Sequence, residues 1–217
     1  MSASIRFLVV LLVFVSACVT VRRAPESEMS GFLDDYSLLQ PAEYGQLYLN
    51  SGARWTQYDE VLLEPVTLWR SGRRSLAPVP EAELMRLVST FQAAVRRRLG
   101  EGFTMVEQPG PGVLRIRLAI TQAHASDPVL DVLTAQGGNV PGGEPVLHAE
   151  LRRFIDSAAI EGEIRDATTN ELLAQAVERR RHDAPPLATW ADIVRALDAW
   201  TTRVGGRLEA RTHPRAQ

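Results

Sequence analysis

Four kinds of side chain in this sequence could do chemistry. Cys18 is the one cysteine, so its thiol is the only thiol nucleophile. Asp156, Glu161, Glu163 and Asp166 gather carboxyls within a short stretch. Two of them in one cleft would suit general acid–base work or a divalent cation. Glu161 and Glu163 stand two apart, so on a strand they share a face. With Arg165 and Arg179 to balance them across a hairpin, the pattern reads as a solvated sheet face. His124, His148, His182 and His213 are widely spaced, and His148 with Glu150 is too loose a pair for a metal site. Arg96 to Arg98, Arg152-Arg153 and Arg179 to Arg181 could grip phosphate. A helix end already accounts for the first run and a strand end for the last. No H-E-x-x-H, G-x-S-x-G, S-x-x-K, G-x-G-x-x-G or EF-hand pattern occurs. The expectation is a protein without a catalytic residue, metal or cofactor.

What precedes Cys18 says what its thiol is for. Met1 to Arg6 makes a short positive start, Phe7 to Val15 is unbroken apolar, and small residues follow. That is a secretory signal peptide. Crossing ~30 Å of hydrocarbon takes about 20 apolar residues, and Thr20, Arg22 and Arg23 come too soon. Val15-Ser16-Ala17-Cys18 resembles the lipobox of bacterial lipoproteins. The resemblance implies that the Cys18 thiol accepts a diacylglycerol, that the chain is cut before it, and that the new amino terminus is acylated. Each buried methylene adds ~0.8 kcal/mol, and one chain holds only marginally, so two or three chains make the anchor stable. Gram-negative lipoproteins kept at the inner membrane usually carry aspartate after the cysteine. Here Val19 stands there, which implies the outer membrane and a domain facing the periplasm.

After removal of residues 1–17, roughly 200 residues remain, enough for one domain with a real core. Lipidation of Cys18 leaves no thiol for a disulfide or a metal. The 24 basic and 26 acidic residues nearly cancel, so there is no electrostatic footprint for nucleic acid. Every basic residue is arginine. With no lysine there is no Walker-type phosphate site and no Schiff base.

The elements that would position these groups can be read in order. Residues 18–30 are the lipidated cysteine and a polar tether, and 31–217 form one domain. Gly31 to Leu39 packs on it as an irregular segment, and Tyr44 to Trp55 holds a short helical turn. Tyr58 to Trp69 reads as a strand, edged or bulged at Pro65. Pro80 to Leu99 is a helix with Glu81 and Glu83 in its first turn and three arginines in its last. Leu84, Leu87, Val88, Phe91, Val95 and Leu99 share one stripe of it. Phe103 to Val106 starts a strand, and Val113 to Thr121 alternates as a half-buried one. Residues 125–145, rich in Gly and Pro, read as a long loop and a candidate contact. Val146 to Ile155 fits helix and strand equally. Ala158 to Arg165 and Leu172 to Arg180 form a hairpin about the Asp166–Glu171 turn. Thr189 with Asp192 opens a last helix, whose stripe of Trp190, Ile193, Leu197, Trp200, Val204 and Leu208 is assigned to the core. The expected fold is α+β, a largely antiparallel sheet with two amphipathic helices on one face.

Ser30-Gly31-Phe32-Leu33-Asp34-Asp35-Tyr36 resembles the amino-terminal motif of a family of Gram-negative lipoproteins known only as a domain of unknown function. Tyr58-Asp59-Glu60-Val61 with Glu64-Pro65-Val66 is similar to its second block, and Pro111-Gly112-Val113-Leu114-Arg115 to its third. Glu161 to Asp166 with Leu172-Leu173-Ala174 is similar to its fourth, although Thr169-Asn170-Glu171 stands where relatives show Thr-Gly-Glu. The family implies no reaction. The expected function is that of an anchored accessory protein, with the membrane as one partner through Cys18 and an envelope protein as another. The alternatives are a module that binds envelope lipid or wall polymer, and an envelope hydrolase.

Overall fold

The computed structural model describes residues 29–69, 79–122, 147, 149–180, 184 and 187–214. Cys18, His124, His148, His182, Arg181 and the stretch 125–146 lie outside them, as do the side chains of Glu150 and Arg153.

Eight strands form one sheet: β1 (Gln40–Ala42), β2 (Gly45–Leu49), β3 (Glu60–Leu63), β4 (Thr67–Trp69), β5 (Thr104–Met105), β6 (Val113–Gln122), β7 (Ala158–Asp166) and β8 (Leu172–Arg179). Three α-helices join them among the described residues: α1 (Glu81–Leu99), α2 (Ala149–Ser157) and α3 (Trp190–Thr212). The strand order is β1-β2-β8-β7-β6-β3-β5, with β4 also on β6. Pairing from β1 to β6 is antiparallel, whereas β3 and β4 run parallel to β6, and β5 parallel to β3. The sheet is therefore mixed but mostly antiparallel, and the fold is α+β.

The expected single strand at residues 58–69 is two. Pro65 has no amide to give the ladder, so the chain leaves β6 after Leu63 and rejoins it at Thr67. Of the stretch Tyr44 to Trp55, read from sequence as holding a short helical turn, Gly45–Leu49 is instead β2, which with β1 extends the sheet beyond β8, and the helical turn comes at Trp55–Gln57. Of the ambiguous stretch Val146 to Ile155, residues 149–155 belong to α2, whose Leu151 and Phe154 are buried, and Val146 and His148 lie outside the described residues.

Register sorts the residues onto two faces. Leu114, Ile116, Leu118 and Ile120 share one face with Ile160, Gly162, Ile164, Ala174 and Ala176. The apolar stripes of α1 and α3 cover that face and make the main core, which Leu151 and Phe154 join. The capping box predicted for α3 is present, with Thr189 and Asp192 satisfying each other's backbone amides. The opposite face carries Arg117, Ala119, Thr121, Glu161, Glu163 and Gln175. Here the structure departs from the expected exposure. Residues 30–39 lie across this face as a strap, and Phe32, Leu33, Leu39 and Ala119 form a second, smaller core. Asn170 at the β7–β8 turn is left-handed, with φ of 63°, a conformation asparagine tolerates.

Candidate functional site

Strand alternation places Glu161 and Glu163 on one face, as expected, but that face is not solvated. Each carboxylate residue is 1% exposed. Alternation shows which side chains point together; it does not show what lies over them. The cover is the segment Ser30–Tyr36.

The strap is wound about one hydroxyl. Tyr36 Oη accepts from the backbone N–H groups of Gly31, Phe32 and Leu33 at 3.1, 3.1 and 3.3 Å. It donates in turn to Glu161 Oε2 at 2.6 Å. Glu161 Oε1 accepts from Thr121 Oγ1 at 2.8 Å, so both oxygens are used. Asp35 caps the turn at Tyr36–Leu38 through the Ser37 amide, and Gln175 Nε2 donates to the Asp35 carbonyl at 2.5 Å. Trp69 donates to the Ser30 carbonyl at 3.1 Å and meets Phe32 edge to face. Burial, and then the bond to Glu161, push the Tyr36 phenol above its ordinary range.

Glu163 is pinned beside it. Arg117 reaches Oε1 at 2.6 Å and Arg165 reaches Oε2 at 3.0 Å. Burial opposes ionisation, yet the two guanidiniums outweigh it and hold the carboxyl below the usual range. Arg165 also reaches Asp34 of the strap at 3.1 Å. Of Arg165 and Arg179, read from sequence as balancing this face, Arg165 does so from the same strand as Glu163, and the second guanidinium on Glu163 is that of Arg117 in place of Arg179. Asp166 sits apart in the hairpin turn, accepting from the Thr168 and Thr169 amides and from Tyr58 Oη. Burial and that hydrogen bond push Tyr58 up to about 12. Asp156 pairs with Arg180 at 2.9 Å. The four candidate carboxylates are thus not brought into one cleft; each has structural partners.

Two arginines of the first run are likewise engaged. Arg97 pairs with Asp198 at 2.6 Å, and Arg98 with Glu209 at 2.8 Å, which ties α1 to α3. A Cβ at Gly205 would come within 2.9 Å of Arg98 Cγ, so the helices cross closely there. His213 rests on the Phe103 ring and Thr212. Among the described residues no three His, Cys, Asp or Glu side chains are grouped for a metal.

A pocket of about 330 Å³ lies against the strap, lined by Asp34, Asp35, Tyr36 and Gln46, and two more, both apolar, lie on the helix face. Short residues at Ala174 and Ala176 leave a cavity of about 140 Å³ beneath α3, walled also by Val95, Leu118 and Val204. Sealed and empty, a void of this size would cost about 3 kcal/mol. A second cavity of about 310 Å³ lies towards α2, between Leu87, Ile155, Ala158 and Leu197. The two share Ile160, Glu178 and Trp200 as walls. Trp200, assigned from sequence to the core, is only half-buried; it packs on Phe91 edge to face at 5.3 Å. Its Nε1 is buried and has no hydrogen-bond acceptor. At the rim, Arg203 pairs with Glu178 through both guanidinium nitrogens and lies 3.9 Å from the Tyr44 ring. Periodicity found Trp200 on the right stripe, but a stripe does not tell a filled contact from a cavity wall.

Residues 28–204 match the model of a family described as protein of unknown function (DUF3313). Among solved structures, a PelC dodecamer from Paraburkholderia phytofirmans is similar at 12% identity over 76% of this chain and 97% of that one, with a TM-score of 0.37. A second crystal form of that dodecamer covers 78% and 98% at 13% identity and 0.30. A protein from Xanthomonas campestris in the family DUF330 covers 74% and 86% at 10% and 0.30. Likenesses this remote say nothing about activity. Among curated proteins none matches the chain.

Proposed function

Because the chain belongs to the DUF3313 family, whose description names no activity, we propose a function from its own residues. It is a lipoprotein of the Gram-negative outer membrane, acylated at Cys18, with a periplasmic domain that works by binding an envelope component. The observation that carries the binding role is the pair of apolar cavities under α3, walled by Trp200 with its unpaired indole N–H. Pockets built this way, mostly apolar with few polar groups, suit capture of a ligand or partner. The anchor reading rests on Val15-Ser16-Ala17-Cys18 followed by Val19. A hydrolase reading gains no support from Glu161 and Glu163, whose oxygens are all taken by Tyr36, Thr121, Arg117 and Arg165.

Two measurements test this. Labelled palmitate should enter the wild-type protein and not Cys18→Ser, which should persist as a larger, uncleaved precursor. Label on the variant would end the lipoprotein reading. Crosslinking in intact envelopes, followed by purification, should recover a specific protein or lipid that competes with filling of the cavities. Recovery of neither would defeat the binding role.

A further inference from the structure

We infer that the strap is a resident ligand: residues 30–38 occupy a groove on the Glu161 face that takes an extended acidic, aromatic peptide, and while docked they keep other segments of that kind out. The groove lies across the sheet from α1 and α3, and binding there does not depend on the cavities.

Three observations set the strap apart from the fold it covers. First, it is held by side chains, as a ligand is. Among the described residues, no backbone-to-backbone hydrogen bond joins 30–38 to a strand; the Leu39 amide bonds to the Tyr36 carbonyl and closes the strap's own turn. The contacts are Tyr36 on Glu161, Asp34 on Arg165, the Asp35 carbonyl on Gln175 and the Phe32 ring under Arg117 at 5.2 Å, with Trp69 on the Ser30 carbonyl. Side chains from β6, β7 and β8 thus read an aromatic ring, an acid and a hydroxyl donor in turn. A basic segment would meet Arg117 and Arg165 as like charges.

Second, the strap brings its shape with it. The amides of Gly31, Phe32 and Leu33 converge on Tyr36 Oη, and Asp35 caps Ser37. A segment whose bound turn is closed by its own groups loses less freedom on docking. Third, the face beneath keeps partners without the strap. Glu163 retains Arg117 and Arg165, and Glu161 retains Thr121. Ala119 is the one buried sheet residue of the small core there, among the described residues. A face of carboxylates, guanidiniums and amides tolerates water, as the apolar face under α1 and α3 does not. Tethered at Gln40, the strap stands at an effective concentration on the order of millimolar, so a free peptide competes well only once the strap is dislodged.

The test uses the full chain held in amphipol and a synthetic peptide of residues 30–39, followed by calorimetry. Phe32→Arg with Tyr36→Ala should dislodge the strap, since it sets a cation against Arg117 and removes the hydroxyl from Glu161. That double variant should keep a cooperative urea transition and bind the peptide saturably, roughly tenfold or more tightly than the wild type does. Asp34→Asn or Tyr36→Phe made within the peptide should weaken it roughly fivefold. Ala119→Trp, added to the double variant, fills the floor of the groove and should abolish uptake. A second measurement needs no variant: in the wild type, the Phe32 and Leu33 amides should exchange through an opening with a smaller urea slope than that of Ile116 and Ile164 in the sheet. Equal binding by wild type and double variant, no binding by the double variant, or uptake that survives Ala119→Trp would overturn the groove. Indifference to both peptide changes would overturn the acidic, aromatic specificity. A double variant that cannot fold, or strap amides that open only with the whole sheet, would show the strap to be part of the fold and overturn its role as a ligand.

Discussion

Replacing Tyr36 with phenylalanine removes one oxygen and keeps the ring. Glu161 Oε2 then loses its donor at 2.6 Å inside a residue that is 1% exposed. Leaving a buried acceptor unmatched costs about 1–3 kcal/mol. On the other side of the same oxygen, three amides lose an acceptor. The Phe32 amide keeps Ser30 Oγ at 3.0 Å, and exposed Gly31 turns to water. The Leu33 amide, in a buried residue, has neither recourse, which adds about another 1–3 kcal/mol. Tyr36→Phe should therefore cost about 2–6 kcal/mol, a third or so of the ~5–15 kcal/mol that holds a domain together. Urea denaturation followed by circular dichroism measures it, and hydrogen exchange at residues 30–36 locates it. Glu161→Met alone should also destabilise, but the double variant should fall short of additivity by at least about 1 kcal/mol, because each single change already breaks the shared bond. A loss under about 0.5 kcal/mol, unchanged exchange, or strictly additive singles would refute the idea that the strap is docked through this hydroxyl.

Other expectations follow from the same network and its neighbours. The chain has no lysine, so no lysine contributes to the alkaline limb of its stability curve. Because the Tyr58 phenol is raised from 10.0 to about 12, its stabilisation is complete below pH ~10 and is lost as pH climbs through ~12, on the order of 2 kcal/mol. Tyr58→Phe should flatten that limb of the stability curve; a limb that is unchanged would remove Tyr58 from the account. Glu163 is shifted the other way, so its contribution is present above its ordinary pKa of 4.5 and disappears as pH falls through the lowered value. Glu163→Gln should cost about 2 kcal/mol at neutral pH, less than the 3–5 kcal/mol of a sealed pair because both arginines reach water, and should blunt acid unfolding. Trp200→Ala should cost about 2 kcal/mol in thermal melts, short of the 3–5 kcal/mol typical of a filled core position, because the ring already borders open space.

Local signals carried most of the architecture. The caps and stripes of α1 and α3, the alternation of β6 and the β7–β8 hairpin are properties of contiguous residues, and they emerge where the sequence puts them. The misreadings share one cause, which is dependence on distant partners. Gln40 to Leu49 has little strand character of its own and becomes β1 and β2 only because β8 offers an edge to pair with. Glu161 and Glu163 look solvated until a segment 125 residues away closes over them. The motif Ser30–Tyr36 was visible as a pattern, but its physical reason was not. Ser30, Gly31 and Tyr36 matter because three amides must converge on one hydroxyl, and that convergence exists only in the folded strap. The cavities were the least visible feature, since they are defined by what Ala174, Ala176 and Trp200 leave unfilled.

The two sheet faces impose a division on any function the domain has. The strap occupies the Glu161 face, so under the anchoring proposed at Cys18 tension on the chain would load the Tyr36 and Trp69 bonds first. The larger cavity lies on the far face under α3, and none of its lining residues belongs to the strap, whereas the smaller one is bordered by Gln175, which is bonded to the strap at Asp35. Changes in the strap should therefore be energetically separable from changes at the larger cavity, as changes without shared partners usually are. Tyr36→Phe should then speed hydrogen exchange at residues 30–36 and leave it unchanged at Ala158, Ile160 and Leu197 around the larger cavity. If exchange rose at those residues too, the sheet would be transmitting strap docking to the cavity, and the two faces would be one coupled device.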